Sequence, residues 1–523
     1  MIDRQRIADA SRELAERAVG AARALTNGGA AIDDHQVVVD RVAYVATEAR
    51  VIAELAAAPG AVAELAAVAA AELAASIPHR LAPIAPALQL GELRYPDAAA
   101  AEIAAGLDPK AVEAIGAAVI ATGMQAWPLD EMLGEVRDSV RTFAEREVAP
   151  HAERIHHHDE LVPERVIAEM AKLGYFGLSI PESYGGHELG NLAMILTTEE
   201  LSRASLAAAG SLITRPEILA KALLAGGTED QKRTWLPKLA SGEIMAAISV
   251  TEPNVGSDVA SLSCKAERVE GGWAITGAKA WCTFAGRADV IALLARTGEG
   301  GAKGLTLFIV DKPRFDGHDF AATQPGGGTL TGKADRTPGY RGMHSFTLAF
   351  ENWLVPDAQL VGGDAGIGRG FALQMAGFAA GRLQTGGRAC GLTQAAVEHT
   401  ARYVAERKQF GRPIGDYGLT RYHLGRMATR LVAARGITYA AARSFDDNAP
   451  DAVTLAAMAK LFACDVAVEV TQLGQLLHGG WGYAEEYPIS RYVADAQVLP
   501  IFEGVKPILA LKVIGRALLS RAG

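Results

Sequence analysis

Between residues 245 and 360 the sequence changes its period. Short β-prone runs at Trp273–Thr276, Val290–Ala295, Leu305–Val310 and Phe346–Phe350 are separated by glycine-rich turns, which is the pattern of strands. On both sides apolar residues recur at three and four instead. Ile7, Ala10, Leu14 and Ala18 share one helical face, as do Val38, Val42, Val45, Ala49 and Ile52,. The helical pattern runs from 129 to about 240, broken by a turn at Ile180–Gly186, and returns over 367–446 and 451–478, joined by the polar loop Asp446–Pro450. A chain of 523 residues has room for three or four units of roughly 150 residues. The expected fold is mainly α with a central β domain. Its parts are an N-terminal helical extension over 1–128, a helical domain over 129–244, the β domain over 245–362 and a C-terminal helical bundle over 363–523. Within the extension, Pro78, Pro83, Pro86 and Pro96 predict an extended connector, followed by a short helix near 109–122.

Half of the residues are hydrophobic and 21% are charged, which excludes a disordered chain. The net charge of -9 provides no basic field for a nucleic-acid backbone. No nucleic-acid partner is expected, and any anionic ligand must meet local arginines or helix N-termini. Cys264, Cys282, Cys390 and Cys464 lie far apart without metal-ligand spacing, so they predict reduced, mostly buried thiols. The polar start of the chain lacks the layout of a signal peptide. The most apolar stretch, 51–76, is interrupted by Glu54, Glu64, Glu72 and Pro59-Gly60, so no membrane span is expected. The expected location is the cytoplasm.

Four places carry chemistry. Val250–Val259 is turn-rich and holds the hydroxyls of Thr251 and Ser257; a capped turn is its plain reading. Gly277–Phe284 sets Trp281 and Thr283 two residues apart, which on a regular strand puts both on one face. Such a face is a floor for a flavin ring, with a core tryptophan as the alternative. Gly479-Gly480 follows a helical run, where glycines ordinarily stop a helix. Glu503 sits among Val498–Phe502, Gly504 and Val505, and apolar flanks make a carboxylate an effective base because burial disfavours its charge. His156–His158 cannot all face one ion on a regular element; they predict a solvated loop, and no metal is expected.

Ile180–Gly186, Gly227–Pro237, Val250–Val259, Glu406–Arg412, His478–Tyr483 and Phe502–Gly504 together resemble, in order, the motifs of the acyl-CoA dehydrogenase family. The resemblance covers about three quarters of the chain, 129–520, and leaves the extension outside. It implies a helical domain, a β-barrel domain and a C-terminal four-helix bundle holding FAD. By the family pattern, Val250, Thr251 and Ser257 would line the flavin and its diphosphate, with Ser257 also near the thioester. Trp281 would pack on the flavin and Thr283 would donate toward its reactive edge. Arg407, Gln409 and Phe410 would complete the FAD site of a neighbouring subunit in a homodimer or homotetramer. Gly479 and Gly480 would admit the adenosine part. Glu503 would remove the α-proton of an acyl-CoA, with Gly504 beside the substrate, while the β-hydride passes to the flavin. Electrons would then leave to an electron-transfer flavoprotein. Some family members carry the base just before the arginine of the first bundle helix; here that position is Gly381, before Arg382, and glycine cannot serve. Arg382 is expected on the substrate side, with a surface ion pair as the alternative. Val505 and Leu476 depart from the family's usual threonine and glutamine.

The extension, with Trp281–Thr283 and Thr214–Glu217, resembles family members that act on a short branched acyl-CoA, and that resemblance implies a substrate bearing a free carboxylate. A buried carboxylate needs a buried cation. Arg215 is the candidate, against an exposed ion pair with Glu217. A generic short- or branched-chain dehydrogenase and an acyl-CoA oxidase remain open, as does a catalytically silent flavin-fold interaction protein. For the extension, a packing or dimer-stabilising role stands against an independent binding module.

Overall fold

The computed structural model describes residues 2–520. The first helices are α1 (Arg4–Leu25), α2 (Gln36–Ala56), α3 (Ala63–Leu81), α4 (Ala85–Leu88), α5 (Asp97–Gly106) and α6 (Pro109–Thr122). Then come α7 (Glu131–Phe143), α8 (Ala149–His158), α9 (Glu164–Lys172), α10 (Gly190–Ala204), α11 (Thr214–Gly226) and α12 (Glu229–Ser241). The strands are β1 (Ala246–Ser249), β2 (Lys265–Val269), β3 (Gly272–Thr283), β4 (Val290–Arg296), β5 (Leu305–Asp311), β6 (Asp319–Thr323), β7 (Thr329–Ala334) and β8 (Ser345–Pro356). After α13 (Gly370–Glu406) the chain makes a small hairpin, β9 (Lys408–Gln409) and β10 (Arg412–Pro413). It ends in α14 (Gly418–Asp446), α15 (Ala452–His478), α16 (Ile489–Ala496), α17 (Lys506–Ile508) and α18 (Arg516–Ser520).

Two compact units result. One spans Arg137–Gln384; the other joins the residues up to Val136 with those from Thr385 onward. The extension is therefore not a separate body. It folds into one unit with the C-terminal helices, α2, α3 and α6 all packing on α14. The α6–α14 contact is close enough to need glycine on both sides. A Cβ built on Gly116 would meet the Arg421 carbonyl at 1.9 Å, and one on Gly425 the Val112 carbonyl at 2.1 Å. Gly116→Leu is expected to push these backbones apart and destabilise the unit by about 1–3 kcal/mol or more, seen as a lower Tm; an unchanged Tm would contradict this packing.

The prolines do not form the extended connector that their crowding predicts. Pro78 lies inside α3, Pro83 opens a short 3-10 turn, Pro86 sits in the first turn of α4, and Pro96 is the N-cap of α5. Proline in a first helical turn loses nothing, because its missing N–H has no partner there. At Pro78 the bond lost is to the Ala74 carbonyl, and the buried Tyr95 hydroxyl donates to that oxygen at 2.8 Å. By length and composition Gly60–Leu88 is apolar enough to cross a membrane, but most of that window is buried inside the protein.

In the other unit β1–β8 form one sheet, ordered β1-β4-β2-β3-β8-β7-β6 with β5 on β4. The expected barrel is thus a curled sheet whose end strands do not pair with each other among the described residues. Val290, Ala292 and Leu294 alternate along β4, as do Leu305, Leu307 and Ile309 along β5. They meet Leu219, Leu223, Leu236 and Leu239 of α11 and α12 in one core. Residues two apart share a face of the sheet, and the residues between them are buried as well, so both strands read in the sequence as continuous apolar runs.

Candidate functional site

β3 is irregular where its chemistry lies. Lys279 pairs with Leu348 but Cys282 pairs with Phe346, so the register slips between them. Trp281 takes a left-handed φ of +58° at this bulge. The bulge breaks the strict alternation that would put Trp281 and Thr283 on one face. Trp281 comes out 58% exposed, whereas Thr283 is buried with its hydroxyl 3.0 Å from that of Ser345. The core-tryptophan alternative therefore applies to Trp273, not Trp281.

The Val250–Val259 loop is tied to this bulge. The Ala280 N–H donates to the Thr251 carbonyl at 2.8 Å. The fully buried Lys279 ammonium donates to the Val250 carbonyl at 2.9 Å and to Glu252 at 3.0 Å. Glu252 also accepts from the N–H groups of Ser263 and Cys264 and from the Ser263 hydroxyl, each at 2.8 Å. Burial works to raise the Glu252 pKa, but Lys279 and these donors outweigh it and hold the carboxyl below its usual range,. The Val250 side chain enters the core, Thr251 is half-buried, and Ser257 is exposed. Around Gly256 the space is open: a Cβ there would meet only Thr251 Cγ2, at 4.0 Å.

Both arginines of interest are buried, which removes the surface alternatives. Arg215 is 5% exposed and Glu217 2%. Glu217 accepts from the Ser179 hydroxyl at 2.5 Å and pairs with Lys221 at 3.5 Å. Burial pushes the Cys282 thiol up to about 12, against smaller opposing pulls from Ser249 and from the Arg215 charge,. Arg382, on α13, is buried too. The Thr214 hydroxyl bonds Gln384 at 2.7 Å, linking the helices that carry the two arginines.

In the other unit Glu503 stands in a strained turn, with φ of +55° followed by +99° at Gly504. Such backbone at a non-glycine residue persists only where its surroundings hold it. Here the Lys506 N–H closes the turn on the Pro500 carbonyl at 3.1 Å. The Lys460 ammonium donates to the Gly504 carbonyl at 2.7 Å, and the Arg388 guanidinium lies 4.7 Å from the Phe502 ring centroid. Gly479, with φ of +62°, ends α15, and a Cβ on Gly479 or Gly480 would meet nothing within 4 Å. Gln475 is spent on its own helix end, donating to the Gly482 carbonyl at 3.0 Å, while Leu476 is exposed. The β9–β10 hairpin projects outward: Arg407 and Gln409 are exposed, and Phe410 is 95% exposed with a left-handed φ.

His156–His158 form the last turn of α8 rather than a loop, because Ala152 and Ile155 are buried on its inner face and Asp159 caps it in the left-handed region. Elsewhere Asp159, His318 and His344 offer ligand atoms within 4.8 Å of one another. The Asp159 carboxylate there already meets His344 at 3.0 Å and Arg341 at 3.3 Å.

Models of the acyl-CoA dehydrogenase N-terminal, middle and C-terminal domains match residues 130–243, 247–353 and 368–519. The chain belongs to the acyl-CoA dehydrogenase family. It is similar to (2S)-methylsuccinyl-CoA dehydrogenase of Cereibacter sphaeroides, 42% identical over 75% of this chain and 70% of that one. Among solved structures, butyryl-CoA dehydrogenase from Megasphaera elsdenii matches with a TM-score of 0.69 and 30% identity, over 76% of this chain and 100% of that one. Glutaryl-CoA dehydrogenase in its glutaryl-CoA complex matches with a TM-score of 0.69 and 29% identity, over 76% and 98%. Acyl-CoA dehydrogenases are FAD-dependent oxidoreductases, and the residues present fit that group. In the Arg137–Gln384 unit Trp281 offers an exposed ring face and Gly256 leaves open space at its backbone that a large planar cofactor can approach; in the other unit Gly479 and Gly480 leave open space of the same kind,. Sequence reasoning missed Lys279, Glu252 and Lys460. For Lys460 a signal exists, since a lone charge inside the apolar run Ala456–Ala463 has to be buried and paired. For the Glu252–Lys279 pair nothing local links two residues 27 positions apart.

Proposed function

We propose that this acyl-CoA dehydrogenase oxidises (2S)-methylsuccinyl-CoA to mesaconyl-CoA. The observation that carries the substrate is Arg215, a guanidinium buried on α11 whose charge acts on the Cys282 thiol of β3. The similarity to a methylsuccinyl-CoA dehydrogenase supports the same reading. In it, the Arg215 guanidinium holds the free carboxylate of the acyl group, and a planar fork suits that partner. Arg382 adds positive charge to the acyl side.

FAD, when bound, supplies the acceptor for the β-hydride. The rest of the chemistry belongs to the chain. Glu503 takes the α-proton as general base, and hydrogen bonds to the thioester oxygen stabilise the charge that develops there. Trp281 would lie against the flavin, Thr283 would donate to its edge, and Val250, Thr251 and Ser257 would line it. Gly479 and Gly480 would admit the adenosine end, and Gly504 would lie beside the acyl chain. Arg407, Gln409 and Phe410 reach into the FAD site of a second copy, which accounts for an exposed phenylalanine on a cationic hairpin. Electrons leave to an electron-transfer flavoprotein.

Arg215→Ala is the test of substrate. kcat/KM for methylsuccinyl-CoA is expected to fall about 10²–10³-fold, as for loss of one partner of a buried charge pair, with butyryl-CoA turnover within a few-fold of the parent. Equal losses on both substrates would remove the carboxylate-binding role and favour a generic short-chain dehydrogenase.

A further inference from the structure

The turn that presents Glu503 is held from one side of α15. Lys460 reaches the Gly504 carbonyl, the Cys464 thiol the Leu499 carbonyl at 3.4 Å, and Asp465 the Lys506 ammonium. Lys460 and Cys464, at i and i+4, share a helical face, and Asp465 follows on its flank. Lys506 is the residue whose N–H closes the turn, so its side-chain anchor acts on the same backbone that fixes the φ of Glu503. Asp465 has a second partner, outside the part of the chain that the family models match. The Tyr44 hydroxyl, on α2 of the extension, donates to it at 3.1 Å.

Tyr44 is itself held. Its ring lies under the Arg80 guanidinium at 4.8 Å and beside the Lys506 ammonium at 5.8 Å,, and Arg80 pairs with the buried Glu48 at 2.7 Å. Burial, reinforced by the Asp465 charge, pushes the Tyr44 pKa up, so the hydroxyl stays a donor. A part-exposed pair such as Asp465–Lys506 adds little stability by itself. What it can set is geometry.

We propose that Tyr44 and Asp465 are positioning residues for the proposed base, so that the N-terminal extension orients the Glu503 turn through Tyr44, Asp465 and Lys506. The inference rests on the reading of Glu503 as the base. It turns the extension from an added packing layer into part of the catalytic scaffold, although none of its residues need touch substrate.

The test is anaerobic stopped-flow bleaching of the FAD-loaded enzyme by methylsuccinyl-CoA and by butyryl-CoA. Tyr44→Phe is expected to lower the rate at saturation about 10-fold and Asp465→Asn about 10–100-fold, in line with the effect of a displacement near 1 Å, with KM within about 3-fold. The double variant should be no slower than Asp465→Asn, because Tyr44 acts through that carboxylate. Arg50→Gln breaks a different tie between extension and α15, the 2.9 Å pair with Asp451, and should lower Tm without changing the rate. If Tyr44→Phe and Asp465→Asn lower only Tm, as Arg50→Gln does, the extension merely packs and the proposal fails. If Glu503→Gln still bleaches, the base assignment fails first, and the two failures are thereby told apart.

Discussion

Glu503→Gln is expected to leave a yellow, FAD-loaded protein that substrate no longer bleaches, a loss of roughly 10²–10⁴-fold in rate. Glutamine keeps the volume of the side chain and the backbone anchors of the turn, so Tm and FAD content should stay at the parent values. What disappears is the acceptor for the α-proton. Exchange of that proton with heavy water in a substrate analogue that cannot lose hydride separates the two halves of the reaction. It should vanish in the variant and persist in the parent. Bleaching at a tenth of the parent rate or more would show that another group accepts the proton.

Lys279→Met has the second large expected effect, and it acts on stability. Removing the ammonium leaves the buried Glu252 carboxylate without its charge partner, at about 3–5 kcal/mol and a Tm lower by roughly 10 °C. FAD should bind more weakly as well, since Lys279 also holds the Val250 carbonyl at the start of the Thr251–Ser257 loop. In the parent the Glu252 pKa is depressed, so its contribution is complete above its ordinary value of 4.5 and is lost as pH falls through the folded value,. In the variant the Lys279 charge no longer opposes burial, although the Ser263 and Cys264 donors remain, so the carboxyl should take up its proton at higher pH than in the parent and acidification should narrow the gap between the two proteins. Glu252→Gln in the same chain should recover much of the loss; if it recovers none, the pair is not what holds the loop.

The residues that belong to local patterns were legible. The strands at Val290–Arg296 and Leu305–Asp311 are continuous apolar runs bounded by turns, and α2 and α15 carry apolar faces long enough to read. β6 and β7 were not read, because Asp319–Thr323 and Thr329–Ala334 are short and each carries a single large apolar residue, Phe320 and Leu330, too few to display a period. The proline cluster misled for a reason visible only in space. What decided that α3 continues through Pro78 was a tyrosine hydroxyl arriving from residue 95 to take the place of the missing donor.

The sequence by itself determined the order of helical, β and helical segments, the family motifs along them and the candidate acid–base residue, because each is set by contiguous residues and their period. Only the tertiary structure decided the pairing of charges: Glu252 with Lys279, Tyr44 with Asp465, and the burial of Arg215 and Arg382. It also decided that residues 1–128, surplus to the family motifs, fold with the C-terminal helices rather than apart from them. A buried charge has to find its partner across the fold. That partner is chosen by packing and not by sequence distance, so no local pattern can name it in advance.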